Sequence, residues 1–161
     1  MNTELIKLLL EGERLTTGQM GEILNMKPGE VEDALKKLEG EEILLGWRPV
    51  LNYDAMNSDQ VRAIIEVRVR PEREGGFGRT ALRVSQFDEV ETCYLVSGAY
   101  DLLLISSGNN LHQVARFVSE KLATLEGVLS TATHFMLRAY KEQGYQIIKG
   151  DRDPDRPAIS P

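Results

Sequence analysis

The chain has 161 residues, 42% of them hydrophobic and 27% charged, an ordinary globular composition that leaves room for one domain or two small ones. No run approaches the length of a membrane span, no secretory pattern opens the chain, and the single cysteine, Cys93, excludes an internal disulfide framework, so a cytoplasmic protein without membrane attachment is expected. The net charge of −6 is unevenly placed: residues 1–60 hold 6 Lys and Arg against 12 Asp and Glu, whereas residues 61–161 hold 13 of each.

Leu5, Ile6, Leu8, Leu9 and Leu10 predict a short amphipathic helix that Gly12 ends. Thr16 opens a second helix, with Gln19 completing a Thr-x-x-Gln capping pattern and Met20, Ile23 and Leu24 as its apolar face. Asn25 suits a tight turn at positive φ, and Pro28 suits the first position of a third helix. Val31, Leu35 and Leu38 recur at i, i+4 and i+7, which turns Gly29, Asp33, Lys36 and Lys37 outward, with Glu30 and Glu32 on the flanks. Two helices joined by a tight turn make a helix-turn-helix, whose second helix fits a DNA major groove. Ile43 to Leu51 reads as a two-stranded wing turning near Gly46, with Arg48 placed to touch phosphate. A three-helix unit with a ribbon also fits a plain packing module.

Asn52 to Gln60 is polar apart from Tyr53, Ala55 and Met56, which places the domains at 1–52 and 61–145 with a linker over 53–60. Val61, Ala63, Ile65, Val67 and Val69 alternate with more polar residues in a strand that Pro71 stops. Phe77, Ala81, Val84 and Phe87 predict a helix over Gly75–Phe87 with a Gly-rich start. Two apolar strands follow, joined by a tip around Gly98. Asn110 with Gln113 caps a second helix bearing Leu111, Val114, Ala115, Val118 and Leu122, and Val128 to Tyr140 reads as a long last strand. The order β-α-β-β-α-β is the ferredoxin-like arrangement. Its hairpin strands are apolar on both faces, yet two helices cover only one face of a four-stranded sheet, so a second copy of the chain is expected on the other. Residues 146–161 form a polar tail rich in Asp, Arg and Pro, where disorder is expected.

The tip Ser97-Gly98-Ala99-Tyr100-Asp101 combines backbone N–H groups, an aromatic ring and a carboxylate, which suits a small zwitterion; Asp101 equally suits a brace for the turn. Only two histidines are present, His112 and His134, and their separation gives no metal-ligand pattern. Gly75-Gly76-Phe77-Gly78 does not follow a strand in a nucleotide-binding arrangement. No catalytic, metal or cofactor site is therefore assigned.

With both halves read, the chain resembles the Lrp/AsnC family of feast/famine transcriptional regulators from about Leu5 to about Gly144. The resemblance rests on Leu38-Glu39 through Ile43-Leu44-Leu45-Gly46-Trp47 followed by Val50-Leu51-Asn52, on Tyr94 through Leu102, and on Gly127-Val128 with Thr131, Thr133 and Phe135. It implies an α+β protein: an N-terminal winged helix-turn-helix followed by a ferredoxin-like βαββαβ (RAM/ACT-like) domain that dimerises and often assembles further, commonly to an octamer. It also implies amino-acid effectors bound between second domains near the hairpin tip and last strand, which carries over to Gly98, Tyr100, Asp101, Thr131 and Thr133. The candidate DNA-facing residues are Lys27, Glu30, Lys36, Lys37 and Arg48. Three departures stand out: Lys27 replaces the usual Ser or Thr cap of the third helix, Glu42 replaces a Gly before the wing, and the outward face of the third helix carries few cations. The expected function is sequence-specific regulation of double-stranded DNA by a homo-oligomer that senses a small molecule. The acidic first segment motivates an alternative, a sensor or assembly protein that has lost DNA binding.

Overall fold

The computed structural model describes residues 3–56, 59–71 and 76–148. Gly75, within the expected helix start, and the tail from residue 149 lie outside the described residues. The chain divides into two compact units, Met1–Pro49 and Val50–Pro161.

The first unit packs α1 (Thr3–Leu10), α2 (Thr17–Leu24) and α3 (Pro28–Gly40) around Leu5, Leu8, Met20, Val31 and Leu38. Thr16 caps α2 as its spacing predicts: its Oγ1 accepts from Gln19 N (3.2 Å), and Gln19 Oε1 accepts from Thr16 N (2.9 Å). Asn25 takes the left-handed conformation at φ 53°, and Met26 N then donates to Gly21 O at 2.8 Å. That close return explains Gly21, a helix-interior glycine whose added Cβ would lie 2.5 Å from the Met26 carbonyl oxygen.

α3 ends in a Schellman motif. Glu42 N donates to Glu39 O and Ile43 N to Leu38 O, with Glu42 at φ 56°. Glu42 thus adopts the conformation normally given to glycine, at a cost of about 1–2 kcal/mol. In the expected wing, residues 43–51, no strand pairing is formed. A two-stranded ribbon is marginal without a third strand or a covering element, and Leu45 and Trp47 are exposed here.

In the second unit a single 3-10 turn (Asp54–Met56) precedes β1 (Val61–Val69), α4 (Gly78–Ser85), β2 (Val90–Leu95), β3 (Leu102–Gly108), α5 (Leu111–Arg116) and β4 (Val128–Phe135). The antiparallel sheet has the order β2-β3-β1-β4, the ferredoxin-like topology. Ala63, Ile65 and Val67 pair with Ser106, Leu104 and Leu102 and are buried, with Val84, Val114, Phe117 and Leu122 from the helical side packed on them. The alternate residues Ile64, Glu66, Leu103 and Ile105 line the opposite face, joined by Tyr94 opposite Leu103.

Three expectations need correction. The α5 face is not Leu111 and Ala115, which are exposed, because a π-helical stretch (Phe117–Leu122) follows, with Ala123 N bonded to Val118 O. The wider turn brings Phe117 and Leu122, five residues apart, to the same core. α4 starts at Gly78, three residues later than the Gly75 expected. The last strand stops at Phe135 rather than Tyr140, because its partner β1 begins at Val61 and offers little further edge. The chain instead forms a small hairpin of β5 (Lys141–Glu142) and β6 (Tyr145–Gln146), turned by Gln143 and Gly144 at φ 43° and 92°.

Candidate nucleic-acid and effector sites

On α3 the outward residues Gly29, Glu32, Asp33, Lys36 and Lys37 are all exposed. Lys27 occupies the N-cap without a side-chain cap bond. Glu30 compensates, its Oε2 accepting from Lys27 N at 2.8 Å, so this candidate DNA-facing residue also ties down the start of the helix. Lys37 Nζ lies 3.8 Å from Glu41 Oε1, an exposed pair of little energetic weight that leaves the lysine available. Lys36 is exposed on the same face, and Arg48 is exposed on the segment that follows α3.

The hairpin tip is fastened to the end of β1 by three bonds. Asp101 N donates to Val67 O (3.0 Å), Val69 N donates to Asp101 Oδ2 (2.8 Å), and Arg68 Nε donates to Ala99 O (2.8 Å). Asp101 therefore does brace the turn, using one carboxylate oxygen. Its partner Val69 lies past the end of the β1–β3 ladder, whose last pair is Val67 with Leu102, so a side-chain acceptor takes the place of a strand partner. Gly98 holds φ 154° at the exposed tip, and Tyr100 is half-buried beside it.

β4 brings Thr131 opposite Val67 and Thr133 opposite Ile65, so both threonines are half-buried on the helix-bearing face. Thr131 is level with the tip end of the sheet; Thr133 lies two residues further along. The β4 residues on the helix-free face are Ser130, Ala132 and His134, with Ser130 in register with Arg68. His134 Nε2 lies 3.6 Å from Glu66 Oε1 on that face. His112, by contrast, is exposed on α5. Burial pushes the Cys93 thiol up, which makes it a poor nucleophile.

Sequence reasoning missed the grouping around Arg62. Its guanidinium contacts Glu91 (3.4 Å) and Glu142 (3.2 Å) and faces the Tyr53 ring at 5.6 Å, while its Nε is buried without a hydrogen-bond partner. The group ties the segment entering the sheet and the C-terminal hairpin to one point on the helix-free face. Its members are too far apart in sequence for any spacing pattern to signal them.

Comparison with known proteins bears on both sites. Residues 62–146 match the family model described as the Lrp/AsnC ligand binding domain. The chain is 38% identical over 160 residues to the HTH-type transcriptional regulator YugG of Bacillus subtilis, covering 99% of this chain and 96% of that protein. It is 28% identical to the proline dehydrogenase transcriptional activator of Rhizobium radiobacter, covering 88% of this chain and 90% of that one. Among solved structures, a transcriptional regulator of Neisseria meningitidis in complex with L-methionine superposes with a TM-score of 0.64 at 25% identity, covering 86% of this chain and 88% of that chain. The leucine response regulatory protein of Mycobacterium tuberculosis shares the fold with a TM-score of 0.71 at 17% identity, covering 89% and 95%. A helix-turn-helix unit, a βαββαβ sheet matched by the ligand-binding model and full-length kinship to a named regulator together place this chain in the Lrp/AsnC family of transcriptional regulators.

Proposed function

We propose that the protein is a sequence-specific DNA-binding transcriptional regulator whose assembly and operator affinity respond to an amino acid or related small molecule. The observation that carries the reading is the α2–α3 turn. Asn25 at φ 53° and the Met26–Gly21 bond fix α3 so that its outward face stays exposed. Lys36, Lys37, Lys27 and Arg48 contact phosphate in this reading, and Glu30 orders the helix start that carries Lys27.

A second copy covers the helix-free face of the sheet, making a cytoplasmic homodimer that can assemble further, as far as an octamer. The effector lies near Gly98, Tyr100 and Asp101, with Thr131 and Thr133 on β4, across β1 from the hairpin. Asp101 Oδ1 takes the ligand ammonium, and the tip N–H groups take its carboxylate. The L-methionine held by the Neisseria relative supports an amino-acid class of effector. The ligand shifts assembly only by its differential affinity for the two arrangements.

Fluorescence anisotropy on the DNA upstream of the protein's own gene, across a salt series and with or without a pool of amino acids, tests this. Saturable binding that exceeds binding to random DNA is expected, with a shift on adding the pool. The acidic first segment, with 12 acids against 6 bases, favours a second reading, a sensor or assembly protein without DNA affinity. No binding even at low salt, by folded dimeric protein, would select it.

A further inference from the structure

We infer that Asp33, on the outward face of α3, determines sequence specificity by accepting a hydrogen bond from the N4 amino group of a cytosine in the DNA major groove. This role rests on the DNA-binding reading and refines it. A phosphate contact cannot account for Asp33, because phosphate repels a carboxylate.

An α-helix turns by about 100° per residue, so Asp33 lies opposite the buried Val31 and Leu38. It is exposed, with Gly29 one turn before it and Lys36 and Lys37 one turn after. The ordinary reasons for an acid within a helix are missing. Glu30, not Asp33, holds the helix start, through its bond to Lys27 N at 2.8 Å. Asp33 lies beyond the first turn, where the attraction of the helix dipole for acids has faded. Among the described residues it makes no hydrogen bond or ion pair, and Lys37, four residues on, turns to Glu41 instead.

Gly29 points the same way. Glycine inside a helix costs stability relative to alanine. The Met26 carbonyl requires glycine at position 21, but an added Cβ on Gly29 would meet nothing within 4 Å, and the Gly29 backbone is not left-handed. A bare, open turn lets another molecule approach the backbone closely. In a helix-turn-helix the N-terminal end of the second helix meets the base edges. Asp33 comes next on that face, about 6 Å further along the axis. An ionised carboxylate only accepts hydrogen bonds, and cytosine N4 is its usual donor in the major groove. Guanine O6 and N7 and thymine O4 are themselves acceptors, so Asp33 rejects those bases as well as selecting cytosine.

The test lets full-length wild type, Asp33→Ala and Asp33→Asn each select bound sequences from a random double-stranded DNA pool. Anisotropy then measures their affinities for the wild-type selected site and for random DNA. One base pair is expected at which wild type demands cytosine, Asp33→Ala is indifferent, and Asp33→Asn prefers adenine, whose N6 and N7 match an amide. On the selected site Asp33→Ala should bind about tenfold more weakly. On random DNA its affinity should hold or rise, since a negative charge is gone. Gly29→Leu, with open space for its side chain, should fold as wild type and lose its preference for the selected site. Circular dichroism and Trp47 emission check folding. A preference unchanged by Asp33→Ala, affinity lost equally on selected and random DNA, or a wild-type demand for another base at the pair that Asp33→Ala relaxes would overturn the inference and leave the regulator reading standing. Full site affinity in Gly29→Leu would overturn it too, by removing the close approach that brings Asp33 to the bases. No sequence enrichment by wild type would overturn both.

Discussion

Asp101 combines two roles that one pair of substitutions separates. Its Oδ2 accepts the Val69 N–H at 2.8 Å, past the end of the β1–β3 ladder. Val69 is 2% exposed, so removing the acceptor leaves a nearly buried donor unsatisfied. That costs about 1–3 kcal/mol, and we take about 2 kcal/mol for Asp101→Ala. Asp101→Asn keeps an oxygen that can accept the same bond and should lie within about 1 kcal/mol of wild type. The effector response behaves differently if Oδ1 holds an ammonium: both substitutions remove the charge, so both should abolish the response. Urea unfolding followed by circular dichroism reads the first effect, and the amino-acid-dependent change in anisotropy or assembly reads the second. An alanine variant as stable as wild type would remove the bracing role. An asparagine variant that is stable and still responds fully would remove Asp101 from the effector site.

Glu42→Gly should stabilise the first unit by about 1 kcal/mol. It relieves a positive-φ side chain and removes an acid from the C-terminal end of α3, and these gains outweigh the added chain entropy of glycine. Denaturation read by the single tryptophan, Trp47, reports on that unit, and an unchanged midpoint would contradict the strain. Gly21→Ala drives a Cβ to 2.5 Å from a backbone oxygen and should cost about 1–3 kcal/mol, seen as an earlier Trp47 transition. Lys36→Glu with Lys37→Glu should abolish DNA binding. In wild type the fall of log affinity with log salt should be about 0.9 per phosphate neutralised, so a dimer using all four candidate cations per chain cannot greatly exceed about 7. A steeper slope would require basic residues outside α3 and the segment that follows it. Burial pushes the Glu89 carboxyl up, but its hydrogen bond to Lys121, a backbone bond and the lysine charge together hold it below the ordinary value of 4.5. A lowered folded-state pKa contributes stability that is present above 4.5 and lost as pH falls through the lowered value. Glu89→Gln should therefore flatten the loss of stability on acidification in that window, and parallel curves for the two proteins would contradict the assignment.

What the sequence could reveal depended on how local the cause was. Capping at Thr16 and Gln19, the turn at Asn25 and the alternation along β1 are set within a few residues, and each was legible. The β-α-β-β-α-β order followed from those local signals, because short antiparallel and split βαβ connections leave few topologies. Failures arose where a partner elsewhere decides. The end of β4 is set by where β1 begins, and the π-helical stretch after α5 by which residues the sheet must bury. The wing segment was legible by its place after α3 and its Gly46 turn, but among the described residues it pairs with no strand. The tip was legible as a polar Gly-containing turn, yet its hold on β1 through Val67, Arg68 and Val69 was not, because those contacts span about thirty residues. Thr131 and Thr133 carry the same lesson. A family pattern located their strand, but only the register tells which face each occupies, and it puts Ser130, Ala132 and His134 on the helix-free side. If a second copy covers that side, those three residues meet the partner directly. The threonines can then influence a ligand at the tip only from the helix-bearing face or through the strand that carries them.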